Sequence, residues 1–278
     1  MNDQHQLGET VIKPRSGWVA VDWKELSDYR DLFWFLTWRN VKVRYAQSAL
    51  GISWAIIQPV FSMIVFTIIF GRLVKVDSDG APYAVFSFAA LVPWTYFSNA
   101  LNDCTNSLVG NAEMIKKVYF PRLILPLAAV SSKLVDFVIA FALLIGMLLY
   151  FGITPTTKVA VLPLLVVMMV MASTGIGTWL GALAVQYRDV KHAMAFATQL
   201  LMYLAPVVYS VNVIPQQWRG AYALNPMVGV IEGFRSALLG TTPMPWDLIL
   251  IGAVSSCLIL VSGIFYFRRM ERLFSDVA

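Results

Sequence analysis

Charged side chains are scarce in this sequence, and they make up only 13% of its 278 residues. A soluble globular protein carries roughly 25% charged residues. Hydrophobic residues reach 58%, and the mean hydropathy is +0.68. The apolar residues are also grouped in blocks that are too long for ordinary core helices. These proportions exclude water as the main solvent and predict an integral membrane protein.

Cysteine and histidine are scarcer still, with two residues of each type. Cys104 and Cys257 lie in or beside apolar blocks, which predicts packing roles rather than a disulfide framework. His5 and His192 are far apart in the sequence, and neither has the cluster of neighbouring ligands that a metal site needs. We therefore expect neither a metal centre nor redox chemistry.

Catalytic motifs are missing as well. No Gly-Lys dipeptide occurs, so the chain lacks the phosphate-binding loop that ends in Gly-Lys-Ser or Gly-Lys-Thr. It also lacks a Gly-x-Ser-x-Gly motif and a pair of carboxylates within its apolar blocks. Asp136 is the single candidate for an intramembrane carboxylate, and Lys133 one turn before it favours an ion pair over a proton relay. The sequence predicts no enzyme activity, and any ATP must be bound by another protein.

Six apolar stretches are long enough to cross a bilayer as helices, which takes about 20 residues each. Except at the start of the third stretch, none contains a charged side chain. The first 50 residues contain polar and charged residues throughout, so no cleaved signal peptide is expected. The six stretches are residues 52–71, 84–102, 134–151, 159–185, 193–211 and 248–267.

Lys and Arg residues predict the orientation, because cytoplasmic connections between membrane helices retain positive charge. If the N-terminus lies in the cytoplasm, 16 of the 21 Lys and Arg residues fall in cytoplasmic segments. We therefore predict that both termini are cytoplasmic. The same bias accounts for the net charge of +5, so nucleic-acid binding is not expected.

Residues 29–47 precede the first apolar stretch and mix aromatic with basic side chains. Charges interrupt this segment too often for it to cross the membrane. Thr37, Asn40 and Arg44 recur at helical spacing as a polar stripe, and the other basic side chains can extend toward lipid headgroups. The pattern predicts an amphipathic helix in the cytoplasmic membrane interface. A helix packed on protein is the alternative.

The cytoplasmic loop between the second and third stretches, residues 103–123, combines charged with apolar residues. We predict a short helix in this loop that ends at Pro121. The helix would present apolar residues beside two lysines, and exposed apolar residues surrounded by charge usually mark a docking surface. The alternative is a solvated loop whose aromatic side chains fold back onto the membrane. The apolar residues are Ile115, Val118, Tyr119 and Phe120.

Residues 212–246 are moderately apolar but contain four prolines, so they cannot form a straight membrane-spanning helix. We predict two short helices at about 215–222 and 227–239, in which Glu232 and Arg235 are spaced to pair. Irregular backbone at membrane depth must be buried in protein or line a cavity. A re-entrant hairpin here would border a transport pathway, and a loop lying on the headgroups is the alternative.

Aromatic residues are frequent, at 13% of the sequence. Their flat apolar faces suit the C–H faces of sugar rings without holding any one ring tightly. We predict that some of them line a passage, with a belt at the membrane interface as the alternative role. The candidates are Phe61, Phe66, Trp94, Tyr96, Phe97, Tyr203 and Tyr209.

The remaining information lies in short motifs distributed along the chain. They are Arg44-Tyr45, Leu50-Gly51-Ile52-Ser53-Trp54, Pro93-Trp94 with Phe97, Phe120-Pro121, Arg188-Asp189, Pro206-Val207-Val208-Tyr209 and Asn225-Pro226-Met227. In this order and spacing they resemble the permease family of O-antigen and capsular-polysaccharide transporters, which also includes teichoic-acid exporters. The resemblance extends over residues 29–278 and leaves residues 1–28 as a polar cytoplasmic segment.

This resemblance implies an all-α ABC-2 type membrane domain in the bacterial inner membrane. The chain would be a permease that forms a homodimer among membrane lipids, and each copy would dock one ATPase subunit that binds ATP and Mg²⁺. The exported polysaccharide, with O-antigen as the first candidate, would be linked to undecaprenyl pyrophosphate. Capsular polysaccharide, teichoic acid or a drug is the alternative cargo. An enzyme that acts on polyprenyl-linked sugars is a remote alternative.

The resemblance also implies roles for particular residues. In the interface helix, Arg39, Lys42 and Arg44 would receive the lipid pyrophosphate, because guanidinium groups suit that charge. A coupling helix at residues 111–122 and the turn that follows the fourth stretch would contact the ATPase. The coupling residues would be Glu113, Lys116, Lys117, Tyr119, Phe120, Arg188 and Asp189, and the residues of a periplasmic gate would be Trp218, Asn225, Glu232 and Arg235.

Overall fold

A computed structural model describes residues 23–46 and 51–271, and within these ranges all regular secondary structure is helical. Most of the polar segment 1–28, the motif residue Leu50 and the C-terminal residues after Glu271 therefore lie outside the described residues. The α-helices are α1 (Trp23–Asp28), α2 (Arg30–Ala46), α3 (Trp54–Phe66), α4 (Tyr83–Asn106), α5 (Ala112–Lys117), α6 (Ile124–Tyr150), α7 (Leu162–Gln186), α8 (Asp189–Tyr203), α9 (Gln216–Tyr222), α10 (Pro226–Leu239) and α11 (Trp246–Met270).

Five helices in the described part of the chain are long and apolar enough to cross a membrane. They correspond to the first, second, third, fourth and sixth predicted stretches, and α3 is extended by a π-helical turn at Thr67–Leu73. The third helix, α6, begins ten residues before the predicted boundary. It continues through Lys133 and Asp136 because both charged side chains have partners on neighbouring helices. The candidate spans are Trp54–Leu73, Tyr83–Asn106, Ile124–Tyr150, Thr157–Gln186 and Trp246–Met270.

The fifth predicted stretch, residues 193–211, does not form a helix of membrane-spanning length. Its helix, α8, has 15 residues and ends at Tyr203. At a rise of about 1.5 Å per residue, such a helix measures about 22 Å, which is less than the roughly 30 Å of bilayer hydrocarbon. Pro206 stops the helix, since the residue before a proline avoids helical geometry. Turns and a short 3₁₀ helix at Val211–Val213 follow.

Helix α4 lies at the centre of the bundle and packs against α3, α6, α7, α8 and α10. Of the 18 most apolar consecutive residues in α4, 78% are buried, compared with 6% of the corresponding residues in α3 and its π-helical extension. The more buried helix is the less apolar one: the mean hydropathy is 1.2 for α4 and 2.0 for α3. A helix enclosed by protein accepts polar and small residues, whereas a helix facing lipid or another subunit must present apolar side chains. The outward face of α3 therefore belongs to the membrane or to a subunit interface.

Glycine residues allow α7 and α11 to approach closely. A methyl group built on Gly263 would lie 2.3 Å from the carbonyl oxygen of Gly175. A methyl group on Gly175 would lie 2.7 Å from the Cα atom of Leu260. Both obstacles are backbone atoms, which cannot rotate away. Small residues at such crossings let membrane helices gain van der Waals contact without a hydrophobic driving force.

We expect Gly263→Val to separate α7 from α11 and to lower the free energy of unfolding by about 1–3 kcal/mol, as overpacking usually does. The measurement is the apparent melting temperature of the detergent-solubilised protein. Gly146→Val is the matched control, because a methyl group on Gly146 in α6 would meet no atom within 4 Å. Equal melting temperatures for the two variants would contradict the close crossing.

Helix α2 packs one face on α6 and leaves the other exposed. Leu36, Thr37 and Val41 are buried, whereas Trp34, Phe35 and Trp38 are exposed. The structure therefore combines the two predicted alternatives, a helix packed on protein and a helix with an aromatic face for the membrane interface. The polar stripe of Thr37, Asn40 and Arg44 faces protein, and the Thr37 hydroxyl donates to the carbonyl of Phe33 at 2.8 Å.

Candidate functional site

Arg44 connects three helices through its guanidinium group. Its Nη1 lies 2.5 Å from Oδ2 of Asp136 on α6, and its Nη2 lies 3.5 Å from Oδ2 of Asp103 on α4. Nη2 also donates to the hydroxyl of Ser132 at 3.2 Å. All four residues are at least partly shielded from solvent, so these contacts are stronger than those of a surface ion pair. The interface helix is thereby fixed to the bundle.

Lys133 does not pair with Asp136, and the prediction of that ion pair is wrong. Its Nζ lies 2.8 Å from Oδ2 of Asp103 on α4 instead. Asp136 is occupied by Arg44 and by Tyr45, whose hydroxyl donates to Oδ1. Residues 133 and 136 belong to one helix, but the partner charges come from α2 and α4. Two cations and two carboxylates thus form one ion cluster with no net charge.

Tyr45 stays protonated in this cluster. Burial raises its pKa to about 12, and the hydrogen bond to Asp136 and the negative charge of that carboxylate act in the same direction. A phenol with this pKa is a neutral hydrogen-bond donor throughout the physiological range. Tyr45 therefore adds a second anchor between α2 and α6 without adding charge.

A cavity of about 320 Å³ lies beside the ion cluster, between α2, α3, α4 and α6. Its lining mixes polar side chains with aromatic rings. The polar and aromatic lining residues are Arg44, Tyr45, Trp54, Gln58, Thr95, Tyr96, Asn99, Lys133, Asp136 and Phe137.

The three basic residues predicted to receive a lipid pyrophosphate do not converge. Arg44 is in the ion cluster, whereas Arg39 donates from Nη2 to Oδ1 of Asn111 at 2.7 Å. Lys42 is exposed on another face of α2. Arg39 borders a second, smaller cavity of about 180 Å³ together with Asn40. Helical spacing correctly grouped these residues in one helix but did not give the direction of each side chain.

The predicted coupling segment forms a shorter helix than expected. Helix α5 ends at Lys117 rather than at Pro121, because Val118 adopts an extended conformation. Lys117 pairs with Glu113 one turn earlier at 3.5 Å. Tyr119 is 62% exposed, but Phe120 is only 4% exposed, so the expectation that Phe120 is presented for docking is wrong. The extended residue turns Phe120 back into an apolar cluster with Leu36, Leu108, Leu123, Ile124 and Phe267.

The second predicted contact, Arg188 and Asp189, is exposed at the turn between α7 and α8. It lies at the same end of the bundle as α5. A methyl group on Gly181 in α7 would lie 3.4 Å from the carbonyl oxygens of Cys104 and Thr105, so α4 and α7 reach this end side by side. The two predicted coupling elements therefore belong to one end of the molecule.

The seven aromatic residues proposed for a passage do not form one surface in the single chain. Trp94, Tyr96 and Phe97 are buried in α4, and of these only Tyr96 borders the 320 Å³ cavity. Phe61 and Tyr203 are exposed. Phe66 and Tyr209 are half-buried and pack against the main core. Trp94 and Phe97 act in packing and Tyr96 faces only the cavity, so none of the three is exposed to an open passage in the single chain.

Arg235 and Glu232 pair as predicted, with 2.9 Å between Nη1 and Oε1, and both are almost fully buried. Arg235 also donates to the carbonyl oxygens of Val207 at 2.9 Å, Tyr209 at 3.0 Å and Phe86 at 3.3 Å. Its guanidinium carbon lies 3.6 Å from the centre of the Phe86 ring. The pair therefore holds the irregular backbone that follows α8, which the sequence did not indicate.

Other hydrogen bonds attach the same irregular segment to its surroundings. Glu232 accepts from the backbone N–H of Val211 at 3.3 Å, and the Tyr83 hydroxyl donates to the carbonyl of Val208 at 2.8 Å. Asn225 caps α10 through the N–H of Met227 and donates to the carbonyl of Leu204 at 3.1 Å. Of the residues predicted to form a periplasmic gate, only Trp218 is freely exposed.

Asp103 belongs to the ion cluster, and Ser132 and Tyr45 form hydrogen bonds with its members, but the sequence indicated no role for these three residues. A usable signal was present, because Asp103 and Ser132 are polar residues at the ends of apolar blocks. Polar residues in such positions must find partners inside the protein. Which partner each one takes depends on helix packing and is not encoded in local spacing.

Residues 31–239 match the protein family described as ABC-2 type transporter. A Klebsiella pneumoniae protein named O-antigen export system permease protein RfbA is 26% identical over 248 residues, or 89% of this chain and 95% of that protein. Its namesake from Myxococcus xanthus is 29% identical over 252 residues, or 89% of this chain and 96% of that protein. The polysialic acid transport protein KpsM of Escherichia coli is 23% identical over 209 residues, which is 72% of this chain and 78% of that protein.

Proposed function

Because this chain belongs to the ABC-2 type transporter membrane family, we propose that it is the permease subunit of an exporter for a lipid-linked polysaccharide. The observation that carries this proposal is the length of the similarity. Relatives named O-antigen export permeases align over 89% of this chain and at least 95% of their own length. An O-antigen is therefore the first candidate cargo, and undecaprenyl pyrophosphate is its proposed carrier.

The proposed topology has six membrane crossings with both termini in the cytoplasm. The excess of Lys and Arg in the assigned cytoplasmic segments supports it. Five crossings are the long helices, and the remaining one combines α8 with the irregular segment 204–213. Irregular backbone is tolerated at this depth when protein satisfies its hydrogen bonds, and Arg235 and Tyr83 bond to three carbonyl groups of the segment. Helices α9 and α10 would then re-enter the membrane from the periplasm as a gate.

Energy would come from separate ATPase subunits, which bind ATP and Mg²⁺. We propose a complex of two copies of this chain and two ATPases, with the glycan passing between the two permeases. Helix α5 and the turn at Arg188 would be seated in the ATPase, since they project from one end of the bundle. Closure of the ATPase dimer on ATP would move both elements together. This chain itself would perform no bond chemistry.

A capsular polysaccharide is the second candidate cargo, because a polysialic acid transport protein also aligns over most of this chain. The proposed role of Arg39, Lys42 and Arg44 in receiving pyrophosphate is common to both candidates. Arg44 is already bonded to Asp136 and Asp103. A pyrophosphate would therefore have to displace a carboxylate to reach it, whereas Lys42 is exposed.

The test is to co-express this chain with a candidate ATPase subunit from the same organism, purify the complex in nanodiscs and measure its mass and ATP hydrolysis. We expect a complex of two permeases and two ATPases whose hydrolysis rises when an undecaprenyl-pyrophosphate-linked glycan is added. A stable monomer that binds no ATPase would reject the proposal. Stimulation by a capsular glycan but not by an O-antigen would assign the second cargo.

Reversing charge at α5, with Lys116→Glu and Lys117→Glu together, should weaken ATPase binding. Charges at an interface rim mainly accelerate association, so we expect about a tenfold loss of affinity at low salt. The measurement is ATPase capture by the immobilised permease at several salt concentrations. The double variant Arg72→Glu and Lys75→Glu is the control, because both residues are exposed beyond the C-terminal end of α3, in and just after its π-helical extension. Equal capture by both variants would place the docking surface elsewhere.

A further inference from the structure

The cavity beside the ion cluster has the size of a binding site. Its volume of about 320 Å³ lies at the lower end of small-molecule sites, which span roughly 300–1,000 Å³. Three of its four walls are the packed helices α2, α4 and α6. The fourth wall is the N-terminal half of α3, which packs little of its surface against the protein.

Two side-chain amides in the cavity are available to a ligand. Within residues 23–46 and 51–271, Gln58 on α3 and Asn99 on α4 make no side-chain hydrogen bond. Each amide carries two donor hydrogens and one acceptor oxygen. Asp136 adds an acceptor at the same wall and Lys133 adds a donor. The cavity thus offers both hydrogen-bond donors and hydrogen-bond acceptors.

Aromatic rings supply the rest of the lining. Trp54, Tyr96 and Phe137 border the cavity, together with Tyr45. Tyr96 and Phe137 pack edge to face with 5.8 Å between their ring centres, which fixes both rings. Flat rings next to amides and carboxylates suit a ligand that has an apolar C–H face and hydroxyl groups around its edge. A sugar ring has this distribution.

The charge of the site favours a neutral ligand. Arg44 and Lys133 are balanced by Asp103 and Asp136 at 2.5–3.5 Å. A phosphate would meet two carboxylates that already satisfy both cations, so it gains little net attraction. A hydrocarbon chain would leave both amides buried without partners, which is costly. A neutral polyhydroxyl group avoids both penalties.

We propose that this cavity binds one sugar ring of the exported glycan, the ring next to its lipid carrier. The inference rests on the proposed export function. The outward face of α3 carries exposed Phe61, Ile64 and Val65, and it offers an apolar track for the carrier chain beside the cavity. The site would select the glycan by its first sugar before transport begins.

The test uses protection of a cysteine in the cavity wall. Ala55→Cys places a thiol on α3, Cys257→Ala removes the exposed cysteine, and the buried Cys104 is retained. The permease–ATPase complex in nanodiscs is treated with a small methanethiosulfonate reagent. An undecaprenyl-pyrophosphate disaccharide at about ten times its Kd should slow modification about tenfold, since about a tenth of the sites stay empty. Undecaprenyl pyrophosphate without sugar should not slow it.

Matched variants locate the contact. Asn99→Leu should abolish protection, whereas Asn102→Leu should keep it, because Asn102 lies one turn away and bonds only the carbonyl of Ser98 at 2.9 Å. Gln58→Leu on the loosely packed α3 is a second variant if Asn99→Leu does not fold. Equal protection in the Asn99 and Asn102 variants would overturn the assignment.

ATP hydrolysis in the same samples separates the two proposals. Stimulation by the glycan without cysteine protection would reject the sugar site and keep the export function. Equal protection by the sugar-free carrier would assign the cavity to phosphate or lipid and also reject the sugar site. Absence of both stimulation and protection would reject the site together with the export function.

Discussion

Arg235→Met should lower the free energy of unfolding by about 3–5 kcal/mol, because removing one partner of a buried ion pair leaves the other charge uncompensated. Glu232 would keep a single backbone donor, the N–H of Val211. The carbonyl groups of Val207, Tyr209 and Phe86 would lose their guanidinium partner. The measurement is thermal unfolding in detergent, combined with limited proteolysis of residues 204–213. We expect cleavage in this segment well below the melting temperature of the remaining bundle.

Two further variants test whether the buried ion pair is the cause of this loss of stability. Arg219→Met is the matched control, since Arg219 also donates to a backbone carbonyl, that of Ile214, but is only partly buried. Losing this hydrogen bond should lower the free energy of unfolding by about 1 kcal/mol. The double variant Glu232→Gln with Arg235→Met removes both charges and should recover part of the lost stability. If Arg235→Met and Arg219→Met were equally stable, the irregular segment would not depend on the buried pair.

Asp136→Asn should release α2 from the bundle. The change leaves Arg44 with Asp103 at 3.5 Å as its remaining carboxylate partner and weakens the bond from Tyr45. We expect a loss of about 1–3 kcal/mol, between the values for exposed and for fully buried pairs, because the side chains are partly shielded. The measurement is hydrogen–deuterium exchange, which should accelerate in α2 and remain slow in α4 and α7.

Asp31→Asn is the control for this prediction. Asp31 also belongs to α2 and pairs with Arg30 at 3.7 Å, but both side chains are exposed. Its loss should leave exchange in α2 nearly unchanged, as expected for surface pairs. Removing both charges with Arg44→Met and Asp136→Leu should restore slow exchange in part, since no unpaired charge remains. Faster exchange in Asp31→Asn than in Asp136→Asn would exclude the ion cluster as the anchor of α2.

Length and composition predicted the membrane helices well because hydrocarbon imposes one requirement on every crossing segment. The backbone must satisfy its own hydrogen bonds over about 20 apolar residues. Helices α3, α4, α6, α7 and α11 follow this rule. The rule failed for residues 193–211, because protein groups from α4 and α10 replace helical hydrogen bonds after Tyr203. Apolar composition alone does not distinguish a helix from irregular backbone that is satisfied in this way.

The candidate site likewise contains features that the sequence predicted and features that it did not. Helical spacing identified the Glu232–Arg235 pair from the sequence alone, whereas the roles assigned to Arg44 and to the α5 segment stay predictions. Local spacing failed for Lys133, whose partner is 30 positions away at Asp103, and for Phe120, which one extended residue turns inward.

By itself, the sequence determined that this is a helical membrane protein and where its long helices lie, because these properties depend on composition and on residues close in the chain. The tertiary structure alone decided which charges neutralise each other, which aromatic rings are buried and where a polar cavity opens between α2, α3, α4 and α6. Those features depend on contacts between side chains that are distant in sequence, and their energies are fixed only when the helices pack.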